Sequence, residues 1–242
     1  EDVVHTPISG AGCAGAIPGL RRTSDYIRLN PHHRALVVCT EISHAAYHPQ
    51  VDMGTAIGNS IFADGSSCYL IENTFKGLVM LDFVELHNYR ERHTVAMTLK
   101  DARYKLILPH RTSELSTPMV LRIAEKLLRN KSPGGLRIWR FLRWLFPSRM
   151  SQKKINYWVL HSGGKSILDD ASGALKLPKE KLAQSYWVWE NYGNMSSATV
   201  GFAMERLLGS GKLKQGDHVV MIALGAGFMG GGLLCKYEGG SV

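Results

Sequence analysis

Seven small residues, SGAGCAG at positions 9–15, separate a β-rich stretch from a stretch with helical spacing of apolar residues. Residues 2–8 predict a short strand, and the apolar spacing over residues 14–29 predicts a helix. Cys13 therefore stands at the predicted start of the helix. This constrains the fold to one in which a tight turn delivers a thiol from a strand to a helix.

The position of Cys13 indicates a nucleophile. The free N–H groups and positive dipole end of a helix N-terminus favour a thiolate. Glycines at positions 10, 12 and 15 leave room for a substrate carbonyl and for backbone N–H groups that face a developing oxyanion. A buried structural cysteine beside a glycine turn is the alternative that this stretch leaves open.

Composition excludes several classes of protein. The chain has 242 residues, of which 45% are hydrophobic and 20% charged, as in ordinary globular proteins. Its sparse cysteines form no CxxC pair, so we expect neither a disulfide framework nor a zinc ribbon, and a reducing cytoplasm fits best. His44 and His48 have the spacing of a helical metal pair but lack further ligands nearby, and we expect a loop and no metal there.

The predicted elements alternate between strands and helices. The apolar run 35–39 predicts a strand buried on both faces in a parallel α/β arrangement. Residues 219–235 are uncharged, but their five glycines predict two buried strands joined by a turn instead of a membrane span. Further strands are predicted at 66–71, 77–87 and 155–160, and further helices at 117–128, 166–174 and 197–208.

A basic, aromatic segment at 129–154 contains no acidic residue and carries much of the formal charge of +9. On a helix, Arg137, Arg140 and Arg143 would share one face, opposite Trp139 and other large apolar residues. Such a helix could pack on its own domain with a solvated basic face. Docking to an anionic membrane surface or an acidic acyl carrier protein stays open, whereas we do not expect nucleic-acid binding.

Two other polar residues stand at the ends of predicted elements. His161 follows the strand 155–160 and Asn194 precedes the helix 197–208, each among small residues that would admit a substrate. With Cys13 they supply a nucleophile and two hydrogen-bonding groups, which suffice for acyl transfer. They could also be three unrelated loop residues.

Five ordered motifs carry a family resemblance. Cys13 is followed by LVVCTEI at 36–42, IGNSIFADG at 57–65, HSGGKSILD at 161–169 and YGNMSSA at 192–198. This series resembles the thiolase-fold condensing enzymes, most closely the chalcone-synthase-like type III polyketide synthases, over nearly the whole chain except the basic segment. The resemblance implies an α/β thiolase-like fold of mixed sheets layered with helices.

The resemblance also implies a division into two halves. Residues 1–75 would form the end of the N-terminal half, with the nucleophilic cysteine. Residues 76–242 would form the complete C-terminal half, with the basic segment as an insertion. Because much of the family's N-terminal half has no counterpart here, we expect a missing N-terminal segment or a separate chain. The family further implies a homodimer.

The implied reaction is a decarboxylative Claisen condensation. Cys13 would hold an acyl starter as a thioester, while His161 and Asn194 would stabilise the enolate formed from malonyl-CoA; His161 would also keep Cys13 ionised. Acyl-CoA and malonyl-CoA are substrates in this scheme, and no cofactor is expected. The implied substrate-binding residues are an aromatic gate and glycines near the histidine and the cysteine, namely Phe62, Gly163, Gly164, Gly225 and Gly227.

Three departures from the family pattern keep alternatives open. Ser162 stands where the family usually has proline, residues 224–228 look more like the ketoacyl-carrier-protein synthases III, and a second aromatic gate does not align clearly at 104–108. One alternative is therefore a ketoacyl synthase that performs a single condensation with a carrier-bound acyl group. Another is a noncatalytic partner subunit, against which the intact Cys13, His161 and Asn194 argue.

Overall fold

The computed structural model describes residues 3–47, 49, 52–100, 103–107, 112–129 and 152–240. The helices are α1 (Ala16–Leu29), α2 (Met53–Ile61), α3 (Thr112–Leu128), α4 (Lys165–Ala174), α5 (Ala183–Tyr192) and α6 (Thr199–Gly209). The strands are β1 (Arg34–Glu41), β2 (Gly65–Glu72), β3 (Leu78–His87), β4 (Ala96–Lys100), β5 (Arg103–Ile107), β6 (Tyr157–Leu160), β7 (His218–Gly225) and β8 (Met229–Tyr237).

The main sheet has the strand order β3-β8-β7-β6, in which β6 and β7 are parallel and the other pairs are antiparallel. Helices α1 and α6 pack on one face and α3 on the other, where α4 packs against α3. Glycines on β8 allow this close packing, because a Cβ at Gly231 would lie 2.7 Å from Ile17 on α1, and one at Gly232 would lie 2.3 Å from Ile123 on α3.

A second layer of strands is the antiparallel ribbon of β1 and β2. Its inner face packs on α1 and α6, which therefore lie between the ribbon and the main sheet. The predicted architecture of mixed sheets layered with helices is thus confirmed. The predicted burial of β1 on both faces is wrong: Leu36 and Val38 on the outer face are 63% and 61% exposed, since the described residues cover only the inner face.

Most predicted elements are present, with ends that differ by a few residues. The predicted strand over residues 2–8 is an error, because residues 3–9 are exposed, irregular backbone without a strand partner among the described residues. Helix α2 and the β4–β5 hairpin were not predicted. The hairpin includes much of the stretch where a second gate was sought.

The basic segment lies almost entirely outside the described residues, which resume at residue 152, so the prediction of a helix there stays a prediction. The predicted boundary between the two halves, at residue 75, falls in the connection between β2 and β3. In the part of the chain that the structure describes, no helix has both the length and the apolar character that crossing a membrane requires.

Candidate active site

Cys13 lies in a 3-10 turn, Gly12–Ala14, that leads directly into α1. The turn is closed by hydrogen bonds from the backbone N of Ala14 to the O of Ala11 (3.1 Å) and from the N of Gly15 to the O of Gly12 (2.9 Å). Gly12 has a φ of +50°, in the region that favours glycine. The cysteine therefore reaches the helix start as the sequence predicted.

The predicted glycine loop at 225–227 packs directly against the cysteine turn. A Cβ at Gly225 would lie 2.2 Å from the backbone O of Ala11, and one at Gly12 would lie 3.0 Å from the backbone N of Ala226. Side chains at these two glycines would push the turn and the loop apart. Gly225 thus contacts the cysteine turn, while Gly227 forms the turn between β7 and β8 with a φ of +77°.

Ser196 lies between Asn194 and the surroundings of Cys13. Its side chain acts to lower the pKa of the Cys13 thiol, and its backbone N donates to Oδ1 of Asn194 at 2.9 Å. Ser196 itself has a φ of +52°, which is uncommon for a residue other than glycine. Cys13 and Asn194 are 181 positions apart in sequence (194 minus 13). This strained turn brings the thiol of one and the amide of the other into one site.

The backbone of Phe62 pairs with the backbone of Asn194. The N of Asn194 donates to the O of Ile61 and the N of Ala63 donates to the O of Asn194, each at 2.9 Å. Gly193 permits this approach, because its φ is +71° and a Cβ would lie 3.0 Å from the O of Ile61. The predicted gate residue therefore adjoins the predicted catalytic amide.

His161 follows β6 and is held by a hydrogen bond from its backbone N to the O of Ile222 on β7 (2.8 Å). The glycine loop follows the same end of β7, so His161 lies at the sheet edge where the cysteine turn packs. Its ring is buried beside a small pocket lined partly by Ile167 and Leu224, and its Nδ1 has no hydrogen-bond partner among the residues that the structure describes.

Glycines follow His161 where the sequence predicted substrate contacts. A Cβ at Gly163 would lie 3.4 Å from Nε2 of His161, so the glycine leaves the space next to this nitrogen open. Gly164 is the N-cap residue of α4, and a Cβ there would meet nothing within 4 Å. Gly163 therefore leaves space beside the imidazole, while Gly164 borders open space.

Burial is the largest cause of the pKa shifts of Cys13 and His161. It raises the pKa of the Cys13 thiol to about 11, although the Ser196 hydrogen bond acts to lower it, while the Glu41 charge adds to the increase. Burial also lowers the pKa of His161 to about 4. The expected thiolate, held ionised by His161, is thus replaced by a neutral thiol and a neutral imidazole, because desolvation outweighs the helix dipole.

Comparison with known proteins identifies the fold. Residues 145–237 match the family model described as 3-Oxoacyl-[acyl-carrier-protein (ACP)] synthase III C terminal. The chain is 27% identical over a 245-residue alignment to a putative chalcone synthase of Bacillus subtilis, covering 97% of this chain and 62% of the relative. It is 26% identical over 237 residues to the 3,5-dihydroxyphenylacetyl-CoA synthase of Amycolatopsis balhimycina, covering 92% and 57%.

Solved structures agree with these relatives. The 1,3,6,8-tetrahydroxynaphthalene synthase of Streptomyces coelicolor, a bacterial type III polyketide synthase, superposes with a TM-score of 0.81 at 22% identity, covering 97% of this chain and 63% of that one. The type III polyketide synthase domain of Steely1 from Dictyostelium gives 0.80 at 23%, covering 93% and 60%. The chain has the type III polyketide synthase fold. It spans less than two thirds of the length of each of these proteins.

Within this polyketide synthase fold, sequence reasoning missed Glu41, Ser196 and Ser197. Glu41 ends β1, and its Oε1 accepts hydrogen bonds from the backbone N of Ser197, at 3.3 Å, and from the Ser197 hydroxyl. All three residues stand inside the recognised motifs LVVCTEI and YGNMSSA. The available signal was an acidic residue at the end of an apolar strand, a position that needs a hydrogen-bond partner when buried.

His44 lies in a 3-10 turn, Ser43–Ala46, and pairs with one carboxylate. The backbone N of His44 donates to Oδ1 of Asp64 at 2.9 Å, and its ring Nδ1 pairs with Oδ2 of the same carboxylate. His48 lies outside the described residues. Across those that are described, no group of three or more His, Cys, Asp or Glu side chains gathers as a metal site would require. The four cysteines are free thiols.

Proposed function

We propose that the chain carries the condensing centre of a type III polyketide synthase. In this proposal an acyl starter is transferred from CoA to Cys13 and extended by decarboxylative condensation with malonyl-CoA. The observation that carries the proposal is the close packing of the cysteine turn on the turn Ser196–Ala198, where Gly15 approaches Ser197 and the Ser196 N donates to Oδ1 of Asn194. A neutral His161 at the same sheet edge supports it, because a neutral imidazole and an amide can both donate hydrogen bonds to a developing oxyanion.

Loading of the starter forms one thioester and breaks another. The Cys13 sulfur attacks the thioester carbonyl of the acyl-CoA, the bond from the acyl carbon to the CoA sulfur breaks, and the thiol proton ends on the released CoA. The half-buried, neutral thiol supports a nucleophile that stays protected until substrate excludes water. The thiolate then forms only as the acyl group is transferred.

Decarboxylation of malonyl-CoA leaves an enolate whose oxygen needs hydrogen-bond donors. Because Oδ1 of Asn194 accepts from Ser196, the Nδ2 group is the end of this amide that donates. For His161, Nδ1 lacks a partner within the described part of the chain and Gly163 leaves space beside Nε2, so in this proposal Nε2 carries the proton that faces the substrate. The enolate carbon then attacks the acyl group on Cys13, and the cysteine sulfur departs.

The first experiment is peptide-resolved mass spectrometry after brief exposure of the protein to a panel of acyl-CoAs. We expect an acyl adduct on the Cys13 peptide, its loss in Cys13→Ala, and its retention in the control Cys68→Ala, because Cys68 is exposed on β2. Asn194→Ala and His161→Ala should lose malonyl-CoA decarboxylation, which Cys13→Ala retains. Full decarboxylation by Asn194→Ala would disprove the role given to this amide.

A second candidate function is a single condensation of the ketoacyl-ACP synthase III type. The match of residues 145–237 to the C-terminal model of that family favours it. Here acyl carrier protein would present an acyl group, and the product would contain one malonyl-derived unit. Adducts formed only from carrier-bound donors would support this candidate, whereas absence of adducts from every donor would indicate the noncatalytic partner subunit.

The remaining assignments belong to the same proposal. Phe62 would gate the CoA tunnel, and Gly163, Gly164, Gly225 and Gly227 would line the path of substrate. The chain would comprise residues 1–75 of one thiolase-like half and residues 76–242 of the other, act with a further N-terminal segment or chain, and form a homodimer in the cytoplasm.

Docking of an acyl carrier protein or a membrane surface by the segment 129–154 is a separate part of the proposal. Reversing the charges of Arg137, Arg140 and Arg143 should weaken binding to acidic carrier protein or to anionic vesicles. Binding of the triple variant to both at the wild-type level would exclude this role for the segment.

A further inference from the structure

Two helices that flank the loop 193–198 are joined by side chains in direct contact. Helix α5 ends at Tyr192, directly before the loop, and α6 begins at Thr199, directly after it. The loop carries Asn194, the amide proposed to donate to the enolate. The position of the two helix ends therefore determines where the backbone of Asn194 can lie.

Four side chains, alternately from α5 and α6, make these contacts. The ring of Tyr192 meets that of Phe202 with centroids 5.1 Å apart and planes at 62°. It also meets the ring of Trp187, at 5.6 Å and 70°. The guanidinium carbon of Arg206 lies 3.5 Å from the centroid of the Trp187 ring. Edge-to-face and cation–π contacts are attractive, so this aromatic ladder of Phe202, Tyr192, Trp187 and Arg206 ties the end of α5 to α6.

Tyr192 is the member of the ladder next to the loop. Although the residue is 45% exposed, its ring contacts one aromatic residue on each helix. The partly buried side chains of Trp187 and Phe202 pack in turn on the hydrophobic core. The last residue of α5 is thus anchored to the interior of the protein through its ring.

The residue between Tyr192 and Asn194 cannot hold the amide in place by itself. Gly193 has a φ of +71°, and a Cβ there would lie 3.0 Å from the O of Ile61, so the position needs glycine. Glycine is also the residue whose backbone is least restricted. The peptide of Asn194 is therefore held on one side by its bonds to the segment 61–63 and on the other by whatever fixes Tyr192.

We infer that Tyr192 is a positioning residue for Asn194: its ring fixes the helix end from which the amide is presented to substrate. The inference rests on the proposed role of Asn194 as a donor to the enolate. It concerns the ring of Tyr192, since the ring makes both contacts. Without the ring the end of α5 would move more freely, and the bonds between Asn194 and the segment 61–63 would open more often.

The first test measures amide hydrogen exchange in the full chain, residue by residue. The N–H of Ala63 donates to the O of Asn194, so its exchange rate reports on this contact directly. In Tyr192→Ala we expect this amide to exchange about tenfold faster than in wild type, because two edge-to-face contacts are lost. The N–H of His161, which donates to the O of Ile222, should keep its rate and serves as the reference for global opening.

Two further variants provide matched comparisons. Tyr192→Phe retains the ring, so the Ala63 amide should exchange at the wild-type rate. Tyr26→Ala removes a tyrosine on α1 that is equally exposed, at 44%, and that also contacts a ring, that of His33 at 5.7 Å. It should likewise leave the Ala63 amide unchanged. If Tyr192→Ala does not fold, Tyr192→Leu removes the ring but keeps an apolar side chain, and it should also accelerate exchange at Ala63.

The second test measures malonyl-CoA decarboxylation by the same variants. We expect Tyr192→Ala to lower kcat about tenfold, because a displaced donor stabilises the oxyanion less well. Tyr192→Phe should retain the wild-type kcat. A loss of kcat in both variants would assign the effect to the hydroxyl and would overturn the role given to the ring.

The exchange rates decide the inference independently of activity, since they need no substrate. Unchanged exchange at Ala63 in Tyr192→Ala, or equal acceleration at Ala63 and His161, would overturn it. The expected exchange pattern in a protein without decarboxylation would reject the proposed function alone. Decarboxylation that is lost in Asn194→Ala but complete in Tyr192→Ala would reject only the role of Tyr192.

Discussion

The backbone of Asn194 forms a short parallel bridge with that of Phe62. Two hydrogen bonds of 2.9 Å flank this bridge, one to the O of Ile61 and one from the N of Ala63. The end of α2 thus fixes the peptide of the predicted catalytic amide. Since only main-chain atoms make these bonds, the position of Asn194 does not depend on the ring of Phe62.

Removing the backbone donor of Ala63 should therefore disturb the position of Asn194 more than removing the ring of Phe62 does. Ala63→Pro deletes the N–H that bonds the O of Asn194, leaves a buried carbonyl unpaired and should cost about 1–3 kcal/mol of unfolding free energy. Phe62 already has the extended backbone that a following proline requires, with φ −80° and ψ 141°. The melting temperature and the rate of malonyl-CoA decarboxylation should both decrease in this variant.

Phe62→Ala is the control for that experiment, because it keeps both backbone bonds. We expect it to retain decarboxylation while it changes which acyl groups load. Equal loss of decarboxylation in both variants would show that the ring, and not the bridge, positions Asn194.

The buried imidazole of His161 predicts acid sensitivity. Its pKa falls from 6.5 to about 4 because burial disfavours the charged form. Between these values the unfolded chain binds a proton that the folded chain does not, so stability rises with pH through this window. The contribution lost on acidification from neutral pH to pH 4 is roughly 3 kcal/mol.

The measurement is the unfolding free energy of wild type and of His161→Gln as a function of pH. Glutamine does not titrate, so the variant should show a flatter profile over the window from about 4 to 6.5. His218 also has a lowered pKa, first from burial and then from the charge of Lys236, but it is present in both proteins. Parallel profiles would contradict the neutral, buried state of His161.

Packing of the glycine loop on the cysteine turn gives a third prediction. In Gly225→Ala the new Cβ would meet the backbone O of Ala11 at 2.2 Å, and backbone cannot move aside as a side-chain end can. We expect a loss of about 1–3 kcal/mol in unfolding free energy and altered alkylation of Cys13. Gly173→Ala on α4 is the matched control, since a Cβ there meets nothing within 4 Å.

Gly173→Ala should instead stabilise the protein by about 0.5–1 kcal/mol, because alanine favours the helix interior. Chemical denaturation of both variants measures the difference. Equal unfolding free energies of Gly225→Ala and Gly173→Ala would mean that the glycine loop at 225–227 does not pack closely on the cysteine turn.

Local signals led to the proposed site residues. The small-residue turn marks Cys13, the end of an apolar strand marks His161, and a glycine before a helix marks Asn194. Each signal lies within a few residues of the side chain concerned. Helix α2 was missed because Gly54 and Gly58 lower its helix propensity, and its start depends on capping by Asp52, which accepts from the N of Thr55.

Long-range properties could not be predicted in this way. The pair formed by Glu41 and Ser197 joins residues 156 positions apart, and no local pattern links them. The neutral state of Cys13 follows from burial that the rest of the chain provides, so the helix-start argument alone gave the wrong sign of the pKa shift. The exposure of Leu36 on β1 likewise depends on which layers cover the ribbon.

The strain at Ser196 allows its backbone and its hydroxyl to be tested separately. Both Ser196→Gly and Ser196→Ala remove the hydroxyl that acts to lower the pKa of Cys13, so both should slow alkylation of the thiol by the same factor. Glycine also relieves the φ of +52°, whereas alanine keeps the strain. The glycine variant should therefore be more stable than the alanine variant by about 1 kcal/mol.

Alkylation rates and denaturant unfolding of the two Ser196 variants provide the measurement: equal rates with unequal stabilities are expected. A faster rate in Ser196→Gly than in Ser196→Ala would mean that the backbone of the turn, independently of the hydroxyl, sets the reactivity of Cys13.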